Sequence, residues 1–468
     1  MLDFRDGGES HFSTKTTGII SGIPAGLVLN EALITRDLHR RQWGFGRGPR
    51  SLGRKHAVDI TSGAAMEPGV GGLTTLGTPI SLRIGAIEKE GVEKSKPETR
   101  IASQLSIPRP GHVDLVAALK YNYPRVSYGP ERASARQTAT HVAFGAIAKQ
   151  LIRGICGIEV LSFVTRIGSE EMDLSKEPFN DITSAKTNEV LSVFRALEGE
   201  MLDYLDKPCE YSRKDRKLRV VPCMEGTPCM YKKPHAEEEA SCMRDATIRA
   251  QLRCPDEEAA KRMYALIEEL YDKDNEHYED NLGGEFIVVA LNVPIGLGSH
   301  VSWDRKIDGK LAQAIMSIPA VKAVEFGTGF SSQSYGSLVQ DAIDYDDLRG
   351  IYRKTNHAGG VEGGITNGEP IVMRAYVKPP PTLGESKALD SVDIFADRKE
   401  DLKRKASSVR TDRCIVHGAG VIAESAVALT LADCILGKWG AGDSVEVLKD
   451  SYEEYNRYIK ARLWIEGP

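Results

Sequence analysis

The sequence predicts an α/β protein built in layers, and three observations carry that prediction. GEFIVVALNVPIG, from Gly284, is rich in β-branched residues and reads as a strand. The stretch before it, DEEAAKRMYALIEELYDK from Asp256, sets Ala259, Ala260, Met263, Leu266, Ile267 and Leu270 on one side at helical spacing. Such alternation along the chain is the pattern of an α/β layered domain. Third, GGLTTLGTPISLRIG from Gly71 and GGITNGEPIVMRAYV from Gly363 both run from a Gly-Gly turn through a Pro-Ile step into an extended segment. This faint internal repeat supports two lobes related by pseudo-symmetry.

A second long helix is predicted after Glu131, because Ala139, Val142, Ala143, Ala146, Ile147 and Leu151 share one apolar face. Ser134 and Gln137, three residues apart, fit a capping box at its start. Free N–H groups of that first turn, with Arg132 and Arg136 beside them, would attract a phosphate. Capping alone explains Ser134 and Gln137 equally well. The apolar stretch Val421 to Leu436 carries Glu424 and Asp433, is shorter than a membrane span, and is expected to be a buried helix stopping at Gly437.

At 468 residues, 41% hydrophobic and 27% charged, the chain can bury a sizeable core. Its net charge of −5 argues against nucleic acid as the main partner and makes its arginine clusters local anion binders. The N-terminus has neither the apolar core nor the cleavage site of a secretory signal, so a cytosolic protein is expected, with no membrane partner.

Three glycine-rich segments carry the chemistry. RPGHVDLVAALKYN, residues 109–122, puts His112 beside a glycine turn. Imidazole titrates near neutrality and so suits proton transfer, although a single histidine is more often structural. LHRRQWGFGRGPR, residues 38–50, mixes Arg40, Arg41, Arg47 and Arg50 with glycines that allow close approach to a ligand. NHAGGVEGGITNGEPI, residues 356–371, has five glycines and is costly as helix or strand, so it is expected to approach something closely.

Taken together these segments resemble the chorismate synthase family, in the form found in actinobacteria and related Gram-positive bacteria. The matching stretches are GESH, RRQWGFGRG, GGLTTLGTPISLRIG, RPGHVDLVAALKYN, ERASARQTA, VPIGLGS, LAQAIMSIPAVKAVEFGTGF, NHAGGVEGGITNGEPI, VKPPPT and RTDRCIVHGAGVIAESAVALTLA. They follow the family's order from Gly8 to about Gly442, which is far more specific than any one short pattern. The resemblance implies a β-α-β-α-β sandwich in a homotetramer. It implies a 1,4-anti elimination of phosphate from 5-enolpyruvylshikimate 3-phosphate to give chorismate, in the shikimate pathway, with reduced FMN and NADPH as a possible reductant. A substrate with one phosphate and two carboxylates, beside a flavin phosphate, explains the need for many arginines. Preorganised cations at the leaving phosphate would lower the barrier.

Carried over residue by residue, the resemblance makes His11, His112 and Asp412 the catalytic candidates. The two histidines would act in proton transfer and Asp412 would assist removal of the C6 proton. It assigns Arg132, Ala133, Ser134, Pro319, Ala320, Gly363, Lys378, Pro379, Pro380, Pro381, Thr382 and Arg410 to the flavin. Arg41 and Arg47 match arginines used for the substrate or a nicotinamide nucleotide, and Arg136 stands with them. Three departures stand out: Phe12 where the family has glycine, Gln137 for the usual glutamate, and Tyr335 for an arginine. They keep two alternatives open, a divergent FMN-binding homologue acting on a related phosphorylated cyclic acid and a catalytically silent binding member.

The whole chain is expected to form one catalytic domain, 1–468, with a surface insertion at about 198–247. That segment holds Cys209, Cys223, Cys229, Cys242 and His235, but no close C-x-x-C pair, so no metal site is expected. Cys156, Cys414 and Cys434 lie in apolar surroundings and are expected in the core. Leu383 to Val409, rich in Lys and Asp, reads as another exposed excursion.

Overall fold

The computed structural model describes residues 2–6, 15–48, 56–66, 72–86, 106–133, 137–175, 193, 196–197, 248–327, 329, 335–406, 412–440 and 444–465. His11, Phe12, Ser134, Arg136, Arg410 and the expected insertion lie outside the described residues.

The first half contains β1 (Asp3–Asp6), β2 (Lys15–Ser21), α1 (Glu31–Gln42), β3 (His56–Ser62), β4 (Ile80–Ala86), α2 (Asp114–Tyr121), α3 (Tyr128–Ala133) and α4 (Thr138–Cys156). The second contains β5 (Glu159–Ile167), β6 (Glu170–Glu171), α5 (Glu257–Glu269), β7 (Gly284–Leu291), α6 (Ile307–Met316), β8 (Val321–Phe326), β9 (Ile371–Val377), α7 (Val416–Trp439) and α8 (Val445–Arg462). One sheet has the order β1-β2-β4-β3 and the other β8-β9-β7-β5-β6, with antiparallel neighbours throughout. The helices α1 and α4 pack on the first sheet and α6 and α7 on the second, while α4 and α7 pack on each other.

The repeat seen in the sequence is real in three dimensions. β4 and β9, the strands that end its two copies, each sit inside a sheet: β4 between β2 and β3, β9 between β7 and β8. The series β1-β2-α1-β3-β4-α4 is thus matched by β5-β7-α6-β8-β9-α7, with the same strand pairings. The layers meet closely. A Cβ on Gly145 of α4 would stand 2.2 Å from the Ser425 side chain of α7, so only glycine lets these helices approach there.

Two boundaries differ from expectation. Helix α4 begins at Thr138, with Gln137 as its N-cap in helical conformation and without a side-chain cap bond, while Ser134, the other half of the expected capping box, lies outside the described residues. Thr140 does the local work instead, its hydroxyl donating to the Gln137 carbonyl at 2.7 Å. The expected apolar face is fully buried all the same. Helix α7 starts at Val416, five residues before the expected Val421, runs to Trp439, three residues past the expected Leu436, and stops at Gly440 rather than Gly437. Packing on both sides outweighs the helix-weakening of its internal glycines. At 24 residues it is long and apolar enough to cross a membrane, yet most of it is buried inside the protein and Glu424 in its middle is held by ion pairs.

Other expectations hold. Asp256 caps α5, its carboxylate accepting from the Ala259 N–H at 3.1 Å, and Ala259, Ala260, Met263, Ile267 and Leu270 are buried while Leu266 is half-buried. Cys156, Cys254, Cys414 and Cys434 are buried free thiols. The excursion after Leu383 carries a small hairpin, Asp390–Val392 with Lys403–Lys405, that is largely exposed but docks on the His112 segment through Ser391 Oγ donating to Pro108 O at 2.5 Å.

Candidate active site

The site is built on a buried ion network that sequence reading did not find. Glu424 of α7 receives both Nη groups of Arg40 at 2.8 and 2.9 Å, Lys149 Nζ at 2.7 Å, Arg253 Nη2 at 2.8 Å and the Ser162 hydroxyl at 2.7 Å. Asp37 takes Arg40 at 2.9 Å and Lys149 at 2.8 Å. Burial alone would raise the Glu424 carboxyl, but Arg40, Lys149 and Arg253 outweigh it and hold it down at about 2. For Asp37 burial is likewise outweighed, by Lys149, Arg40 and Arg36, leaving it well below the carboxylate range. The network joins α1, α4, β5, the turn before α5, and α7. It therefore fixes the C-terminal end of α1, from which the Gln42–Gly48 loop emerges.

That loop is laid against residues 412–418. Arg413 and Cys414 donate their N–H groups to the Gly46 carbonyl at 2.6 and 3.2 Å. Asp412 accepts from the Gly48 N–H at 2.5 Å and pairs with Arg47 Nη1 at 3.0 Å. Arg41, buried beside them, donates through Nε to Thr138 Oγ1 at 2.8 Å, at the first residue of α4. Phe45 stacks on Tyr264 of α5 with ring centres 3.9 Å apart, and the Arg413 guanidinium lies 5.5 Å from the Tyr271 ring. Burial pushes the Cys414 thiol up to about 12, so it is inert at neutral pH. Gly44 has φ 130°, and a Cβ there would stand 2.1 Å from the His417 ring. Gly44→Ala is therefore expected to cost at least about 1–3 kcal/mol from the backbone alone, read as a lower urea midpoint; an unchanged midpoint would remove the steric constraint.

The second group of residues surrounds His112. Its Nδ1 lies 2.6 Å from Asp114 Oδ1, while Arg109 reaches the same carboxylate through its backbone N–H at 3.0 Å, Nε at 2.8 Å and Nη2 at 3.1 Å. Burial would raise Asp114, but the hydrogen bonds from His112 and Arg109 outweigh it, and the group stays anionic well below its ordinary range. Arg109 Nη2 also approaches His112 Nδ1, at 3.1 Å. The shorter contact to an anion decides the proton's place: Nδ1 donates to Asp114, and Nε2 is the nitrogen able to exchange a proton with a ligand.

This segment rests on the run Lys378 to Thr382. Arg109 Nη1 donates to Thr382 Oγ1 at 3.2 Å, and Lys378 Nζ to Gly111 O at 2.8 Å. Lys378 N–H in turn donates to Ala320 O at 2.9 Å, which brings Pro319 and Ala320 to the same place. Gly111 at φ 72° and Ala320 at φ 74° present left-handed, bare backbone near one end of the run. Asn281, buried, donates through Nδ2 to the carbonyls of Pro380 and Thr382, both at 3.0 Å. Its neighbour Leu282 donates to Arg413 O at 2.8 Å. The strap Asp280–Leu282 thus ties the His112 group on one side to the Asp412 group on the other.

Of the expected site residues, the structure brings together His112, Pro319, Ala320 and Lys378 to Thr382, and joins them through the strap to Arg47 and Asp412, with Arg41 alongside. Arg132 and Ala133 end α3, which packs on α2 directly after His112. Gly363 is not brought in: it lies at the start of α6, where Gly364 O accepts from Ile307 N, and Ala320 follows the other end of that ten-residue helix, about 15 Å away. A Cβ on Gly363 would meet nothing within 4 Å, so the position is open. Tyr335 is 81% exposed. Sequence reading missed Arg109, Asp114 and Asn281; the spacing of Asp114 two residues after His112 was the available signal for one of them.

Comparison with known proteins gives the family. A family model described as chorismate synthase matches residues 2–436. Chorismate synthase of Koribacter versatilis is 37% identical over 471 residues, covering 98% of this chain and 100% of that protein. That of Aquifex aeolicus is 38% identical over 472 residues, covering 98% of each. A crystal structure of chorismate synthase aligns with TM-score 0.66 and 31% identity over 98% of both chains. With a family match over residues 2–436 and relatives 37–38% identical over 98% of its length, this chain belongs to the chorismate synthase family, whose members are lyases.

Proposed function

We propose that the chain converts 5-enolpyruvylshikimate 3-phosphate to chorismate and inorganic phosphate. The C–O bond to phosphate and the C6–H bond break, and a ring double bond forms. The observation that carries this reading is the strap Asp280–Leu282, which holds an acid–base histidine and a paired carboxylate on neighbouring sides of one backbone-lined corner. Family membership implies a reduced flavin, and bare backbone at Gly111 and Ala320 beside the Lys378 ammonium fits a flat, anionic group. Lys378, Pro379, Pro380, Pro381 and Thr382, with Pro319, Ala320, Arg132 and Ala133, would hold it as FMN. Reduced flavin supplies the electron-rich ring that the family requires although no net oxidation occurs. His112 Nε2 moves a proton near the departing phosphate, with Asp114 fixing its tautomer. Asp412, kept in place by Arg47 and the Gly48 N–H, assists removal of the C6 proton, and Arg41 and Arg47 bind anionic ligand groups. His11, Ser134, Arg136 and Arg410 are proposed for the same corner on the resemblance of their motifs, as are the homotetramer, the cytosolic location and the Gram-positive type.

Anaerobic incubation with the substrate, FMN and dithionite is expected to release chorismate and phosphate in equal amounts. Flavin binding without product would favour a divergent homologue, and absence of both a silent one. NADPH as sole reductant tests whether the chain reduces its own flavin. Arg47→Ala, which removes a charge-assisted contact of about 1.5–3 kcal/mol, is expected to raise the substrate KM roughly tenfold or more; initial rates at varied substrate measure it, and an unchanged KM would take Arg47 out of binding.

A further inference from the structure

We infer that His417 is a positioning residue for the Arg47–Asp412 pair: its uncharged imidazole, wedged against Gly44, seats the Gln42–Gly48 loop, and a proton added to it unseats that loop. The kinetic part of this inference rests on the function proposed above, whereas the loop part stands without it.

His417 is the second residue of α7 and is 0% exposed. Neither ring nitrogen has a hydrogen-bond partner among the described residues. A Cβ on Gly44 would lie 2.1 Å from its Cδ2 and 2.2 Å from its Nε2, so ring and loop backbone are in direct contact. The flanking loop residues Trp43 and Phe45 are buried with it. Arg47 follows three positions on and pairs with Asp412. The charged groups facing the ring are cations: Arg47 from the loop and Arg253 from the turn before α5. The carboxylates balancing them are already engaged, Asp412 by Arg47 and Glu424 by Arg253, Arg40 and Lys149. An imidazolium here would be a buried charge between two guanidiniums with no counter-ion of its own.

Burial, then Arg47, then Arg253 push the His417 pKa well below its ordinary 6.5. The released loop leaves the ring in water, where it takes a proton near 6.5. Below that pH the released form binds more protons than the seated form. Seating is therefore complete above about 6.5 and is lost as pH falls, by up to roughly tenfold per pH unit.

The test compares the full-length protein with His417→Leu, which keeps most of the bulk and cannot be charged. Hydrogen exchange of peptides spanning 42–48, corrected for intrinsic rates, is measured at pH 7.5 and 5.5. Wild type is expected to lose about tenfold in protection at the lower pH, and His417→Leu to lose none. In parallel the substrate KM of wild type should rise severalfold more than that of the variant over the same interval, with kcat following less. Protonation of the substrate phosphate affects both proteins equally and cancels in the ratio. An equal acid response in both proteins, or no response in wild type, would overturn the inference, as would a variant that is merely less stable with an unaltered pH profile. If His417→Leu fails to fold, His417→Gln serves the same comparison. Lack of turnover at any pH would defeat the proposed function and leave the exchange measurement to decide this one.

Discussion

Glu424→Ala is expected to lower the folding free energy by about 3–5 kcal/mol, because removing one member of a buried ion network strands the others. Here the stranded groups are three cations. Arg40, Lys149 and Arg253 all point at the Glu424 carboxylate, and with it gone only Asp37 remains to balance them. None can turn to solvent easily, since Arg40 and Arg253 are buried and Lys149 is only 17% exposed. The same carboxyl titrates with a definite sign. Its pKa falls from 4.5 to about 2 on folding, so the unfolded chain binds more protons in that interval; its stabilisation is present above 4.5 and lost as pH falls toward 2. Urea denaturation of wild type and variant at pH 7, repeated across pH 5 to 3, measures both effects. A variant as stable as wild type at pH 7 would mean the cations find other partners and the network does not brace α1 against α7. A smaller acid sensitivity in Glu424→Gln than in wild type is the companion expectation.

The difference between what was legible and what was not follows from the range of the interactions. Strand β7 and helix α5 were readable because their signals are periodic and local: six apolar residues on one side of 256–273, and a β-branched run after Gly284. The internal repeat was readable from the Gly-Gly and Pro-Ile landmarks ahead of β4 and β9, each of which is an inner strand of its sheet. His112 and Asp412 were singled out as candidates by their motifs. Their supports were not. Arg40 and Glu424 lie 384 positions apart, and Asn281 meets Pro380 across 99 positions, so nothing local marks either as a partner. Ser134 and Gln137 had the spacing of a helix start near Ser134, but helix α4, held by burial of its apolar face, starts at Thr138 with Gln137 as an N-cap that makes no side-chain cap bond. Gly437 had the appearance of a helix stop; packing of α7 carries it through to Trp439. In each case tertiary contact overrode a short-range preference of about 1 kcal/mol or less.

His112→Ala is expected to lower kcat by about 10²–10⁴, the usual worth of a positioned general acid or base, while leaving the fold intact. The separation of these two outcomes is built into the geometry. Asp114 keeps three bonds from Arg109 when the imidazole is removed, and Arg109 stays anchored to Thr382, so the segment should remain on the Lys378–Thr382 run. Thermal unfolding of the variant should thus stay near that of wild type. Asp114→Asn makes the complementary test, since the amide can no longer fix Nδ1 as the donor; it should lower kcat less than His112→Ala and leave substrate KM nearly unchanged. Steady-state rates with saturating flavin distinguish the cases. A fall in kcat at constant KM assigns His112 to the chemical step, whereas a raised KM at constant kcat would make it a binding residue only. If both variants turn over like wild type, proton transfer at the leaving phosphate has to come from elsewhere, and the Arg109–His112–Asp114 cluster is left with the single task of holding the Lys378–Thr382 run in place.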